Sequence, residues 1–296
     1  MRFAFAATML ALLTGCGLAP RPMAIAAPTA GLAAKDVTGD VQVIHDVASH
    51  YLSLKRDLWV YLPPGYGDPA NAQKRYPVLY MHDGQNLFDP TAAFGGNEWH
   101  VDETAQQLIT SGAVPPLIIV GVANTAARMD EYTWVPGTVD GQTMGGKGQA
   151  YANFLTKELK PLIDRTYRTK PDRDDTGICG SSLGGLIDIY LARYDSAVYG
   201  KIGIMSPSVW WDNKAVLGVV PQMPTNARIW LDIGHDEGDT PQEMLGDARE
   251  LEQDLITRGY TAGQNLDYFE DPIGGHNEQA WAYRFPMVLK YLFGKN

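Results

Sequence analysis

Two cysteines in 296 residues are too few for a disulfide-stapled scaffold. No run of Lys or Arg stands out. With 24 basic against 34 acidic residues the formal charge is −10, which excludes the basic footprint of a nucleic-acid surface. The uncharged apolar stretch at 3–13 falls short of the roughly 20 residues that span a bilayer. No internal repeat is visible either, so solenoids and propellers are excluded. What is present, 45% hydrophobic and 20% charged residues, is the composition of a globular chain with a sizeable core.

The start of the chain reads differently from the rest. Met1-Arg2 and the apolar stretch after it predict a secretion signal. Leu13-Thr14-Gly15-Cys16 resembles a bacterial lipoprotein cleavage box, which implies lipid attachment to the Cys16 thiol. A rival small-x-small site, Ala24-Ile25-Ala26, would release a soluble chain instead. Residues 1–35 are therefore expected to be a signal peptide and an Ala/Pro-rich tether, and residues 36–296 a single domain. The expected location is extracytoplasmic, as a lipid-anchored protein of the bacterial periplasm or outer membrane or else as a secreted one. Beyond that anchor no membrane contact is implied.

Short β-branched and aromatic runs then alternate with helical patterns. Segments 41–47, 58–62, 78–81, 117–122, 176–179, 202–205, 229–233 and 266–269 read as eight strands, the first two an antiparallel start. Several are apolar throughout, as strands covered on both faces should be. The clearest helix runs over 240–258, with Leu245, Ala248, Leu251, Leu255 and Ile256 on one stripe and a capping box at Thr240-Pro241-Gln242-Glu243. A second runs over 151–167, where Pro161 predicts a kink or an end near Lys160. The fold class is α/β, a mostly parallel sheet flanked by helices with ligands at the carboxyl ends of its strands.

Gly180-Ser181-Ser182-Leu183-Gly184 fits G-x-S-x-G between a strand and a helix. A serine on so sharp a turn needs flanking residues without side chains, which makes Ser182 the candidate nucleophile. Ser181 is excluded because Cys179 occupies the glycine position two residues before it. A serine hydroxyl needs a base, and on such a sheet the order is serine, acid, histidine. Of six histidines only His276 follows every plausible acid, in a loop beyond the last strand. The loop Gly234-His235-Asp236-Glu237-Gly238-Asp239 offers three carboxylates, among which spacing does not choose. His235, Asp236 and Asp239 follow no known metal-ligand spacing, so no metal site is expected. Met144-Gly145-Gly146-Lys147-Gly148 likewise lacks the context of a phosphate loop. Two backbone amides should hold a developing oxyanion, that of Leu183 and, past the turn at Gly84, that of Gln85.

Several motifs taken together resemble the serine esterase family of the α/β-hydrolases. They are His82-Asp83-Gly84-Gln85-Asn86, Asn124-Thr125 with Arg128 and Glu131-Tyr132, Glu158-Leu159-Lys160-Pro161, Gly180-Ser181-Ser182-Leu183-Gly184-Gly185 and Ser206-Pro207-Ser208-Val209-Trp210-Trp211. Members of that family include enterochelin, feruloyl and acetyl-xylan esterases, S-formylglutathione hydrolase and mycolyltransferases. The resemblance covers roughly residues 57–293. It implies an α/β-hydrolase fold and the acid at Glu237, with Asp236 as runner-up, and it likewise points to Gln85 for the second oxyanion amide. It also implies a cofactor-independent serine esterase of a small-molecule or saccharide ester, short-acyl, aryl or siderophore-type. The sequence departs from lipases of this fold in having no H-G-G-G run and no separate lid.

Seven tryptophans bear on the substrate. Trp99 follows the loop expected to supply the second oxyanion amide, and Trp134, Trp210 and Trp211 follow predicted strands, where rings suit sugar or aryl groups, while Trp59, Trp230 and Trp281 read as core. Trp99, Arg128 and Trp210 are the candidate substrate contacts. Arg128 and Glu131 either clamp a polar substrate or pair with each other. Three other functions remain compatible with the same residues: an acyltransferase with an alcohol acceptor, a peptidase, and a non-catalytic envelope-binding lipoprotein.

Overall fold

The sequence Val78-Leu79-Tyr80-Met81 shows why this sheet is buried on both sides. Consecutive strand residues point to opposite faces. Val78 and Tyr80 enter one hydrophobic cluster with Val60, Val120, Ile178 and Leu186, and Leu79 and Met81 enter another with Ile119, Cys179, Phe285 and Leu289. All four are almost wholly buried. A computed structural model describes residues 37–294 of the chain.

Ten strands follow in order: β1 (Asp40–Val47), β2 (Arg56–Leu62), β3 (Val78–His82), β4 (Ile118–Val122), β5 (Pro136–Val139), β6 (Gln142–Gly145), β7 (Thr176–Ser181), β8 (Lys201–Met205), β9 (Arg228–Asp236) and β10 (Leu266–Gly275). Eight of them form one sheet in the order β1-β2-β4-β3-β7-β8-β9-β10. β2 runs antiparallel to both of its neighbours, and every other pairing is parallel. These eight are the predicted strands, within three residues at each end except that β10 runs on from 269 to Gly275. The hairpin β5–β6 was not anticipated, since four-residue polar strands carry no apolar period.

One helix expectation is narrowed and another corrected. Of the kink or end expected at Pro161, the end does not occur: the helix runs as α-helix over Gly148–Asn153, a π turn over Phe154–Leu159 and α-helix again over Lys160–Thr166. Proline leaves the carbonyl one turn before it without a donor, and the wider turn absorbs that mismatch. The helix Pro241–Arg258 forms where expected, but the Thr240 side chain makes no capping bond. The Glu243 amide meets the Thr240 carbonyl instead.

The order of strands sets the place of the site. From β3 the chain steps outward to β4, then crosses back to β7 on the other side of β3. The carboxyl ends of β3, β7, β9 and β10 therefore open on one edge, at the switch point where parallel sheets bind ligands. Signal, tether and Cys16 lie outside the described residues. No described helix is long and apolar enough to cross a membrane.

Candidate active site

Ser182 sits between the end of β7 and the helix Leu183–Tyr194, with φ 59° and ψ −122°. That backbone is strained for a non-glycine residue, and it is held from both sides. The Ser182 amide donates to the Met205 carbonyl at 3.0 Å, and the Ser182 carbonyl accepts from Leu186 at 3.0 Å and Ser208 at 3.1 Å. A Cβ at Gly180 would stand 2.7 Å from the His82 ring and 2.9 Å from the Gly184 carbonyl carbon, so glycine is required there by space. The Ser182 hydroxyl lies 3.2 Å from that of Ser208. Leu183 opens the helix, so its N–H has no acceptor one turn earlier.

His276 follows β10 and turns its Nδ1 onto Glu237 Oε2, a very short contact. Glu237 is nearly inaccessible, and its other oxygen accepts from the Ser206 hydroxyl at 2.6 Å and the Gly234 amide at 2.7 Å. Burial pushes its carboxyl up, but the bonds from His276, Ser206 and Gly234 outweigh burial and hold it below its ordinary range. Behind it the wholly buried Arg284 donates to Ser206 at 2.7 Å and stands 3.3 Å from Asp232 and 3.8 Å from Glu237. Asp232 is pushed up to about 6, chiefly by burial. Asp236 and Asp239 point to solvent. His235 meets Glu270 at 3.0 Å.

On the β3 side the left-handed residue is Asp83 (φ 55°), not Gly84. Gly84 is needed for close approach, since a Cβ there would be 2.4 Å from the Gly121 backbone of β4. Gln85 lies in the tight turn that follows, and its side chain accepts the Asn124 amide at 3.1 Å. Arg128 grips Asp83 through two bonds of 2.8 Å, and Asn124 adds one of 2.6 Å. These contacts overcome the upward push of burial on Asp83, whose carboxyl lies below the ordinary value. A second histidine near the site, the buried His82, has a structural place: its ring nitrogens meet Tyr151 and Asp188, each at 2.9 Å.

Ser182, His276, Gln85, Trp99 and Arg128 line one cavity of about 380 Å³, with Asp83, Asn86, Asn124, Glu278 and Trp281. The family described as "Putative esterase" matches residues 49–292. The chain belongs to this esterase family. It is a carboxylic ester hydrolase of the α/β-hydrolase fold, and the resemblance of its motifs is upheld.

The esterase is 29% identical to the uncharacterized protein YbbA of Bacillus subtilis over 256 residues, 84% of this chain and 96% of that one. It is 26% identical to an iron(III) enterobactin esterase of Dickeya dadantii, over 80% of this chain but only 51% of that protein. A likeness of 30% to an endo-1,4-beta-xylanase/feruloyl esterase of Xylanibacter ruminicola covers 50% of this chain and 19% of the relative. Among solved structures, an IroE-like serine hydrolase from Shewanella oneidensis superposes with a TM-score of 0.66 at 23% identity, covering 86% of this chain and 80% of that one. A ferulic acid esterase superposes at 0.65 and 21%, covering 86% and 98%. At those identities the structures speak for the fold.

Several of the expected aromatic residues lie away from this cavity. Trp210 lines a different one, with Lys214, Glu243 and Asp247, just before a left-handed run at Asp212, Asn213 and Lys214. Trp134 stacks on Tyr190 at 5.3 Å, and Trp211 is buried with its indole N–H on the Val135 carbonyl. Arg128 and Glu131 do not pair, since Arg128 takes Asp83 and Glu131 takes the buried Arg56. Trp281, read as core, turns its ring edge-on to His276 at 5.0 Å while its indole N–H donates to Ser206. Glu278 went unnoticed, although a polar residue two positions beyond a loop histidine was a signal in plain sight. Among the described residues Glu98, His100 and Glu103 come within ligand distance of one another, beside a separate cavity of about 500 Å³.

Proposed function

We propose that this chain is an exported serine esterase that works through an acyl-enzyme on Ser182. The observation that carries the reading is the bond from His276 to the buried carboxylate of Glu237, with Ser182 in the same cavity. A carboxylate on Nδ1 holds the tautomer whose Nε2 is free to take a proton.

In this mechanism Ser182 Oγ attacks the ester carbonyl carbon and its proton passes to His276 Nε2. The carbonyl oxygen becomes an oxyanion held by the Leu183 and Gln85 amides. Collapse breaks the ester bond, and the leaving alcohol takes the proton from His276. Water then attacks the acyl-serine, His276 takes its proton, and Ser182 leaves as the restored hydroxyl with release of the acid. Arg284 between Asp232 and Glu237 leaves this buried group one negative charge in excess, which the imidazolium balances when it forms. No step calls for a cofactor.

Trp99 and Trp281 give the cavity an apolar wall and Asn86, Asn124 and Arg128 a polar one, which suits a small aryl or hydroxylated ester better than a long-chain lipid. Relatives named as feruloyl and enterobactin esterases support a short-acyl, aryl or siderophore-type substrate. Residues 1–35 are proposed as signal and tether with Cys16 as the lipidated residue, and the mass of the mature N-terminus tests this. A diacylated Cys16 supports the anchor, and a free terminus after Ala26 overturns it.

The mechanism is tested by Ser182→Ala on p-nitrophenyl acetate. Turnover should fall by about 10⁴-fold or more, and fluorophosphonate labelling should vanish. Wild-type rates in this variant would remove Ser182 from the chemistry. A panel of short-acyl, feruloyl, acetyl-xylan and catecholate trilactone esters then ranks the substrate classes.

A further inference from the structure

We propose that Glu278 sets the substrate class of this cavity, selecting esters that bring a hydroxyl or ammonium donor to it and rejecting esters that carry a carboxylate. The inference rests on the esterase reading of the Ser182 site. Four side chains lining the cavity can carry charge: Asp83, Arg128, His276 and Glu278. Asp83 and Arg128 cancel through two 2.8 Å bonds, and His276 is held by Glu237. Glu278 forms no ion pair with any Lys or Arg among the described residues, so its charge is the one left over. The cavity is thus negative in its resting state.

Its carboxylate is also aimed. Asn86 Nδ2 donates to Glu278 Oε1 at 3.2 Å, and Asn86 is itself fixed because its Oδ1 accepts the Phe94 amide at 3.0 Å. One oxygen is therefore anchored to the β3 loop, and the carboxylate it belongs to lines the cavity as a group that only accepts. Glu278 begins the helix Glu278–Phe293, behind the Asn277 cap, where the helix N-terminus favours negative charge. Burial, and after it the nearby Asp83, push its carboxyl up, against a smaller downward pull from its own amide, His276 and Arg128. An ammonium or hydroxyl relieves that unbalanced charge; a carboxylate adds to it.

The decisive experiment compares p-nitrophenyl benzoates that carry a 4-aminomethyl, 4-hydroxymethyl or 4-carboxy group. The wild-type chain should turn over the first two with a kcat/KM about tenfold or more above the third. Glu278→Gln removes the charge but keeps an oxygen for Asn86, so the strap between the two loops survives. In this variant the ammonium-to-carboxylate ratio should fall about tenfold, and high salt should shrink the wild-type ratio in the same direction. An unchanged ratio in Glu278→Gln overturns the role of Glu278 alone. Turnover of p-nitrophenyl acetate but of none of the three overturns the proposal alone, and failure on the acetate as well overturns the Ser182 reading with it.

Discussion

The Ser206 hydroxyl donates to Glu237 Oε1 at 2.6 Å while accepting from Arg284 at 2.7 Å and from the Trp281 indole at 3.1 Å. One oxygen thus ties the carboxylate behind His276 to the helix that follows it. Ser206 pays for this position with a left-handed backbone, φ 39°, at the end of β8. Ser206→Ala leaves Arg284 and Trp281 with buried donors unmet and takes one donor from Glu237. Each unmet buried group costs about 1–3 kcal/mol. The expected result is a fall in kcat of about tenfold and a drop in Tm of several degrees, read by steady-state kinetics and thermal melting. Wild-type values for both would show that the node is idle.

Glu237 and Asp236 are neighbours in sequence with opposite fates, one buried against His276 and the other in solvent. Glu237→Gln should lower kcat by about 10²–10⁴-fold, because a neutral amide neither fixes the tautomer nor stabilises the imidazolium. Asp236→Asn should stay within about twofold. A larger loss in the Asp236 variant would transfer the role.

Glycines at two positions answer oppositely to alanine. At Gly180 the added methyl meets His82 and Gly184 inside the serine turn, so Gly180→Ala should cost about 1–3 kcal/mol and displace Ser182. At Gly246, inside the helix Pro241–Arg258, nothing lies within 4 Å of the new Cβ. There alanine should add about 0.5–1 kcal/mol by stiffening the unfolded chain. Urea midpoints of the two variants check both signs.

Asp102 is wholly buried at the start of the helix Val101–Thr110, and its Oδ2 accepts the Thr38 amide at 2.6 Å. Burial first, and Glu103 beside it, push its carboxyl up to about 8. A carboxyl that holds its proton more tightly when folded stabilises the fold less as pH rises, from its unfolded value of about 3.9 up to about 8. Stability should therefore decline across that window. Asp102→Asn, which still accepts from Thr38, should flatten the decline. An equal fall in unfolding free energy between pH 5 and pH 8 for the wild type and Asp102→Asn, read from denaturant titrations, would remove Asp102 as the source.

Much of the architecture was legible because it is local. Apolar runs of strand length, separated by helical periods, predict the eight main strands without reference to any contact between them. The serine turn was legible too, since Gly180 and Gly184 reflect steric demands inside one short segment. The π turn before Pro161 was not, because the chain had two ways to absorb a missing N–H and packing chose between them. Likewise Arg128 and Glu131 lie three positions apart on one helical turn, yet each finds its partner on another strand or loop.

By itself the sequence determined the strands and the sharp strand-to-helix turn at Ser182, consequences of backbone sterics and side-chain periodicity. Only the tertiary structure decided which loop residues meet. His276 follows β10 just past the register shift between Asp271 and Gly275, while Trp210 lines a different cavity from Ser182. Trp281, Glu278 and Arg284 come to the site from one helix because its N-terminus docks beneath the ends of β8 and β9. Such meetings depend on the summed packing of distant segments, for which no short stretch of sequence carries a signal.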